Sequence, residues 1–368
     1  MKRRVAILFG GRSAEHEISC ISARSVMDAL DPDRYDVIPI GITKEGAWRL
    51  MPGGPPAIEG AGSEKRLPGV TASAGEEVAL SQGQREHRLV ASAIDAGSVD
   101  VVFPVLHGPY GEDGAVQGLL EMAGVAYVGA GVLGSAIGMD KAVQKTLARA
   151  AGLPVVDWIA VRERDWSGDR EGVEARAEAL GYPLFAKPAN LGSSVGISKV
   201  HATSELMQAV DEALAYDAKA ILERSVEGAR EIECAVLGND DPVASVAGEI
   251  VPSGHEFYDY EAKYADEQGS ELIIPAVLPP VTLEEIQRLA VAAFRAIDCA
   301  GMARVDFFIT RDGALILNEV NTIPGFTPIS MYPKLWEASS VSYPELIDRL
   351  IELALERHAA EGKKGTGI

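Results

Sequence analysis

The chain has 368 residues, 47% of them hydrophobic and 24% charged, so it has a globular composition and the length for two or three domains. Lysine and arginine number 34 against 54 aspartates and glutamates, a formal net charge of −20. A surface this acidic repels nucleic acid and anionic lipid, which excludes phosphate-backbone binding along an open face as a first reading.

No segment reaches the roughly 20 consecutive apolar residues that a membrane helix needs. The apolar stretch 5–9, after the basic start, is too short for a secretory signal. Cys20, Cys234 and Cys299 are scattered and form no C-x-x-C pair, so neither a zinc site nor a disulfide framework is expected, and the chain reads as reduced and cytoplasmic.

Residues 4–9 (RVAILF) read as a buried strand, Gly10 and Gly11 turn the chain, and a helix is expected from Ser13 or Ala14 to about Leu30. Glu15 lies at the start of that helix. The helix dipole favours an acid there, which accounts for Glu15 without a ligand; the alternative is that it takes a substrate ammonium group. Residues 52–88, rich in Pro, Gly and Ala and without a period, are expected to form an irregular surface excursion. A second strand, 99–106, ends at His107-Gly108, and the loop Gly111-Glu112-Asp113-Gly114 leads into a helix. In open α/β sheets ligands gather at the carboxyl ends of strands, where both turns lie. The first turn lacks G-x-G-x-x-G, which argues against a dinucleotide-dependent oxidoreductase.

From about residue 135 the texture changes. A helix over 141–151 is stopped by Gly152 and Pro154, and short strands are expected at 155–161, 183–187, 195–200, 219–223 and 231–237, with a helix near 204–215. Lys187 ends one of these strands, and Gly192-Ser193-Ser194-Val195-Gly196 follows. Glycines let backbone N–H groups approach an anion and serines add donors, so this loop is either a phosphate-cradling lid or a plain hairpin loop; it is not a Walker A sequence. Glu223, with the Val226 backbone beside it, is placed to accept from an adenine amino group, and Glu231 and Glu233 alternate onto one face. Edge-strand charge is an equally good reading of all three. The aromatic-dense segment FYDYEAKY (257–264) sets Lys263 beside three tyrosines, as a site cover or as core packing. Residues 282–297 are the clearest helix, with Thr282 and Glu285 as a capping box and Ile286, Leu289, Ala290, Ala293, Phe294 and Ile297 on one face. A last helix is expected from about Tyr343 to His358, before a frayed tail.

The most informative segment is 303–321 (ARVDFFITRDGALILNEVN). Asp312-Gly313 predicts a two-residue hairpin loop that pairs Arg311 with Ala314. Extended along the strands, that register sets Asp306 opposite Glu319 and Arg304 opposite Asn321, all on one face. Facing carboxylates repel unless a cation lies between them. Magnesium satisfies the requirement, since it prefers oxygen ligands from one or two carboxylates plus substrate phosphates. Asn321 adds a neutral oxygen and Arg304 a fixed positive donor. A solvated polar sheet face is the alternative, and the apolar neighbours Val305, Phe307, Leu315 and Leu317 weigh against it.

Seven ordered motifs, LFGGRSAEHEIS (8–19), LHGPYGEDG (106–114), MDK (139–141), AKPANLGSSVGISKV (186–200), FYDYEAKY (257–264), ARVDFF (303–308) and NEVNTIPGFTPISMYP (318–333), resemble those of the D-alanine–D-alanine ligase family of ATP-grasp enzymes. The resemblance implies a mixed α/β and α+β fold of three domains. These are an N-terminal parallel-sheet (pre-ATP-grasp, Rossmann-like) substrate-binding domain, 1–135, a central ATP-grasp lid domain, 136–228, and a C-terminal catalytic domain, 229–368. ATP is then clamped between the antiparallel sheets of the last two. The implied reaction joins two D-alanines through a D-alanyl phosphate, releases ADP and phosphate, and feeds peptidoglycan synthesis. It uses Mg2+ or Mn2+, as a pair of ions, at Asp306, Glu319 and Asn321. Neither nucleic acid nor membrane is an implied partner, and the implied assembly is a homodimer.

By motif, Glu15 resembles the residue holding the first D-alanine's ammonium group, with His107 near its carboxylate. Arg304 and the Gly325 N–H resemble the donors to the tetrahedral oxyanion, and Ser330 and Met331 the segment binding the second D-alanine's carboxylate. Ser193 and Tyr264 resemble a lid contact. Lys141, Lys187, Ser193, Ser194, Glu223, Arg224, Val226, Glu231, Phe257, Lys263, Phe307, Asn318 and Glu319 resemble the nucleotide pocket. In the family, tyrosine at the position of Tyr264 goes with D-alanine as second substrate, and phenylalanine or histidine with D-lactate, which keeps a different nucleophile as the rival reading. The net charge then demands a site that is locally positive within an acidic whole.

Overall fold

The computed structural model describes residues 2–56, 67–81, 88–91, 95–192, 194–252, 270–327 and 329–363. Ser193, Phe257, Lys263 and Tyr264 lie outside the described residues, so the lid-contact and site-cover expectations find no structural description.

Three sheets carry the chain. The first holds β1 (Arg3–Gly10), β2 (Tyr35–Ile42), β3 (Trp48–Leu50), β4 (Glu76–Ser81), β5 (Arg88–Ala91), β6 (Asp95–Ser98), β7 (Val101–Pro104) and β8 (Ala126–Tyr127), in the order β6-β5-β4-β3-β2-β1-β7-β8. Its centre is the parallel sheet implied by the resemblance, with an antiparallel extension. β2, β1, β7 and β8 run parallel, and β3 to β6 extend the sheet antiparallel from β2. The expected irregular stretch 52–88 therefore contains a strand, β4, whose pairing with β3 and β5 supplies what its sequence period does not. Val5 to Phe9 are all but inaccessible, as a parallel strand covered on both faces must be. One cover is α1 (His16–Ala29).

After α2 (Ala115–Ala123), α3 (Val132–Met139) and α4 (Lys141–Ala150), the second sheet collects β9 (Trp158–Arg162), β10 (Leu184–Pro188), β11 (Ser198–Val200) and β12 (Lys219–Arg224) in the antiparallel order β11-β10-β12-β9. Helices α5 (Glu163–Gly168), α6 (Arg170–Leu180) and α7 (Thr203–Leu214) accompany it. Its core, around Val161, Trp166, Leu184, Leu206 and Leu222, is a cluster of its own.

The third sheet, β15-β14-β13-β16-β17, is antiparallel throughout and comprises β13 (Arg230–Gly238), β14 (Val243–Pro252), β15 (Ser270–Ile273), β16 (Gly301–Ile309) and β17 (Leu315–Asn321). One core cluster runs from Val5 and Phe103 of the first sheet to Ala235, Leu237 and Met302 of the third. It is closed by Tyr332 and Trp336 of α9 (Met331–Ala338) and by Leu350 of α10 (Tyr343–Gly362).

Helix α8 (Pro280–Ala296) buries the predicted face, Ile286, Leu289, Ala290, Ala293 and Phe294, with Ile297 at its C-cap. The expected capping box is absent. The N-cap is Pro279, whose carbonyl accepts from the N–H groups of Thr282 and Leu283, so Thr282 lies inside the first turn, while Glu285 pairs with Arg288 at 2.6 Å. Two successive prolines preset the helical entry and leave a side-chain cap little to do.

Candidate active site

A cavity of about 860 Å³ is lined from all three sheets. Every predicted site residue within the described part lines it: Glu15, His107, Lys141, Lys187, Ser194, Glu223, Arg224, Val226, Glu231, Arg304, Asp306, Phe307, Asn318, Glu319, Asn321, Gly325, Ser330 and Met331.

On the third sheet, β16 and β17 pair Asp306 with Glu319 and Arg304 with Asn321, as the sequence register requires. The turn does not follow that register. The Thr310 N–H donates to the Ala314 carbonyl and the Ala314 N–H to Thr310 Oγ1, so the loop has three residues and not two, and Gly313 takes φ +86°. Near the turn the partners are Phe307 with Leu317 and Ile309 with Leu315. A bulge at Asn318 then inserts one residue and restores the expected pairing at the site. The two departures cancel. The bulge is held from α4: the Gln144 amide bridges the N–H and carbonyl of Val320 at 3.0 and 2.9 Å, and Lys145 Nζ donates to the Asn318 carbonyl at 2.6 Å.

Asp306 is 8% exposed and well partnered. Arg304 donates to it through Nε at 2.8 Å and Nη2 at 2.7 Å, and Asn321 Nδ2 donates at 2.9 Å. Next along the row, β13 sets Glu233 opposite Asp306, and Arg304 Nε lies 2.9 Å from Glu233 Oε2. Burial works against the Arg304 charge, but Asp306 and Glu233 outweigh it and raise its pKa further. Lys141 Nζ stands 3.7 Å from Glu319 and donates to the Leu191 carbonyl at 2.7 Å, which ties the glycine-serine loop to the same wall. Phe307 faces the core and is almost wholly buried, whereas Phe308 shares the face of Asp306 through its pairing with Glu231.

At the other end, Glu223 on β12 is 3% exposed, and both its oxygens face lysines. Lys145 lies 2.7 Å from Oε1 and Lys187 donates to Oε2 at 2.5 Å. Burial alone would raise the Glu223 pKa, yet the two ammonium groups pull it down to about 2. Lys145 is lowered by burial, while at Lys187 burial is outweighed by Glu223 and the pKa rises. Lys145 was not among the residues expected from sequence. Its signal is its place four residues after Lys141 on one helix, which puts both on the same face. Arg224 and Val226, next along the chain from Glu223, and Ser194 of the glycine-serine loop also line the cavity.

The first sheet supplies a third wall. A Cβ placed at Gly108 or at Gly192 would stand 3.1 or 3.2 Å from Glu15 Oε2, so Glu15 is held between a strand-end turn and the loop of the second sheet. His107 is buried, with Nε2 3.2 Å from Ser22 Oγ and Nδ1 3.7 Å from Glu112. Burial opposes its charge, but Glu112 and Glu15 more than offset this and raise its pKa. Glu112, whose own pKa burial raises, also accepts from the Gly108 N–H at 2.8 Å; it lay within a quoted motif but was not assigned a role from sequence. Beyond β17, Ser330 Oγ accepts from the Thr327 N–H at 3.0 Å and sits so close to Gly325 that a Cβ there would meet it at 2.8 Å. Ser330 is the N-cap residue of α9, and Met331 opens that helix.

Residues 4–130 match the family pattern described as D-ala D-ala ligase N-terminus and residues 147–352 that described as D-ala D-ala ligase C-terminus. The chain belongs to the D-alanine–D-alanine ligase family. A D-alanine–D-alanine ligase of Geobacillus thermodenitrificans is 53% identical over 368 residues, covering 97% of each chain, and one of Arthrobacter sp. (strain FB24) is 50% identical over 366 residues, covering 97% of this chain and 95% of its own. The solved D-alanine–D-alanine ligase of Coxiella burnetii superposes with a TM-score of 0.82 at 38% identity, covering 98% of this chain and 96% of its own. The VanG D-Ala:D-Ser ligase of Enterococcus faecalis gives 0.81 at 35% identity, covering 96% and 100%. The ATP-grasp arrangement expected of a D-alanine–D-alanine ligase is thus the one observed.

Proposed function

We propose that the cavity joins two D-alanines into D-alanyl-D-alanine at the expense of ATP, through a D-alanyl phosphate, with ADP and phosphate released. The observation that carries this reading is the polarity of the cavity. One end holds two lysines around a single carboxylate, Glu223, and the other holds three carboxylates, Glu233, Asp306 and Glu319, around a single guanidinium, Arg304. A positive end suits a triphosphate, and an acidic row suits a divalent cation. Both are needed where an anionic carboxylate must attack an anionic phosphate.

The residues fit Mg2+ or Mn2+. Among the described residues no cluster of three His, Cys, Asp or Glu side chains is arranged to hold a metal. Asp306 and Glu319 with the Asn321 oxygen therefore form a partial oxygen set, the kind that Mg2+ completes with substrate phosphates. When bound there, the metal would neutralise phosphate charge.

The chain's own groups account for the rest. Glu15 takes the ammonium group of the first D-alanine, and His107, whose pKa is raised by Glu112 and Glu15 against burial, lies near its carboxylate. Lys141 and Lys187, with Ser193, Ser194 and Lys263, hold the phosphates; Arg224, Val226, Glu231, Phe257 and Asn318 surround the rest of the nucleotide, with Phe308 in place of the core-facing Phe307. In the second step the amine of the second D-alanine attacks the acyl carbon and phosphate leaves. Arg304 and the Gly325 N–H donate to the oxygen that gains charge, while Ser330 and Met331 hold the second carboxylate, and Ser193 and Tyr264 close over the site.

The same reading takes 1–135, 136–228 and 229–368 as the working domains, and the assembly as a cytoplasmic homodimer; no helix among the described residues is long and apolar enough to cross a membrane. Incubation with ATP, Mg2+ and D-alanine, with phosphate release and product mass measured, tests the reaction. D-Alanyl-D-alanine is the expected product, and no D-alanine-dependent phosphate would overturn it. The VanG likeness makes D-serine, together with D-lactate, the proper competitor; preference for D-lactate near neutral pH would sink the assignment of Tyr264.

A further inference from the structure

Three neighbouring strands bring Glu233, Asp306 and Glu319 into one row, yet the proposed reaction uses only two of these carboxylates. Glu233 is buried, with its side chain 7% exposed, on a sheet where an unneeded charge would be costly. It faces Arg304. The Arg304 Nε lies 2.9 Å from Glu233 Oε2 and 2.8 Å from Asp306 Oδ1, and Nη2 lies 2.7 Å from Asp306 Oδ2. One guanidinium is thus held from two strands by two acids. The acids are not equivalent, because Asp306 also faces Glu319 and accepts from Asn321, whereas Glu233 is the outer member of the row, opposite Gly248 on β14.

The geometry points to Glu233 as the positioning residue of Arg304. It is the carboxylate that keeps the guanidinium aimed into the cavity when the Asp306 oxygens are engaged by a divalent cation. This assignment rests on the reading of Asp306 and Glu319 as the metal-binding pair. It explains the third acid. A single aspartate asked to orient an arginine and to bind a metal would lose the first function on acquiring the second, and a second carboxylate on β13 separates the two tasks.

The test compares wild-type protein with E233Q, E233D and D306N. D-Alanine-dependent phosphate release gives KM and kcat, and Mn2+ binding is followed by electron paramagnetic resonance of the free ion. In E233Q, kcat/KM for D-alanine is expected to fall about tenfold or more, the scale of one lost ion-pair contact, while KM for ATP and the Mn2+ Kd stay within about twofold. E233D keeps the charge one methylene back and is expected to recover part of the loss. D306N is expected to weaken Mn2+ at least about tenfold, since loss of a direct ligand costs no less than loss of an outer-shell partner. Should D306N bind Mn2+ as wild type does, the metal reading fails, whatever E233Q shows. Glu233 as a third metal ligand is the outcome if E233Q weakens Mn2+ as D306N does, and that overturns the positioning role. Unchanged kcat/KM for D-alanine in E233Q overturns it too, as does an equal fall in all parameters in E233Q and E233D. If E233Q does not accumulate folded, the E233D split between D-alanine and ATP decides alone: a fall confined to D-alanine supports the role, and no fall or a shared one rejects it.

Discussion

Asp306 and Glu223 are both nearly inaccessible carboxylates at opposite ends of one cavity, and both are satisfied by cations, but by different routes. Asp306 is held by Arg304, two residues away on its own strand, and by Asn321 on the next strand of the same hairpin. Glu223 is held by Lys187 on the neighbouring strand and by Lys145 on a helix from far earlier in the chain. The first is built within one hairpin, whose bulge α4 anchors. The second exists only when three elements have assembled. The acidic end therefore depends on strand register, and the nucleotide end on tertiary packing.

The largest expected effect lies at the local end. Asp306→Asn keeps size and one acceptor but removes the charge opposite Glu319. D-Alanine-dependent phosphate release is expected to fall by about 10³-fold, the scale for removing a charge-stabilising element from an active site, while the melting transition stays cooperative. A fall of less than about tenfold would mean that Asp306 only orients Arg304.

Lys145→Met comes next and probes the assembled end. Lys145 is 2% exposed, pairs with the Glu223 carboxylate and donates to the Asn318 carbonyl. Removing one partner of a buried ion pair costs about 3 kcal/mol, seen as a shift of the urea midpoint. Because the same lysine fixes the bulge before Glu319, KM for ATP is expected to rise as well. A stability loss below about 1 kcal/mol would show that Lys187 alone satisfies Glu223.

These two ends also differ in how much of them the sequence reveals. The Asp306–Glu319 pairing was legible because both residues belong to one hairpin and alternate with period two. Even so, the expected two-residue turn is a three-residue one, and the bulge at Asn318 compensates. Bulges have no periodic signature, and this one is stabilised by Gln144 and Lys145 from α4, which strand patterning cannot report. Glu223 was legible only as a candidate adenine contact, with edge-strand charge an equally good reading; its pairing with two lysines is a product of packing. Likewise, the stretch 52–88 that holds the antiparallel strand β4 has no stable period, and the Thr282–Glu285 box matched a capping pattern that two prolines had made unnecessary.

Acid titration separates the ends further. Glu223 is held at about 2 against 4.5 for a free glutamate: burial opposes its charge, and Lys145 and Lys187 overcome it. A depressed carboxylate contributes stability that is whole above the free value and is lost as pH falls through the folded one, so the window runs from roughly pH 5 down to pH 2. Glu223→Gln is expected to remove this component, and the stability gap between the variant and wild type should close across that window. A gap independent of pH would mean that the pairing with Lys145 and Lys187 does not set the charge of Glu223.

The smallest effect isolates the turn from the site. Gly313 takes φ +86°, and a Cβ there meets nothing within 4 Å, so Gly313→Ala introduces backbone strain and no clash. A left-handed alanine costs about 1 kcal/mol, which calorimetry of the variant resolves. Activity and Mn2+ affinity are expected to stay within about twofold, because the Asn318 bulge, anchored from α4, resets the register between the turn and Asp306. A tenfold loss of activity in a folded variant would reverse that order of control: the turn would then dictate where Glu319 faces Asp306, and the bulge would be its consequence, not an independent anchor.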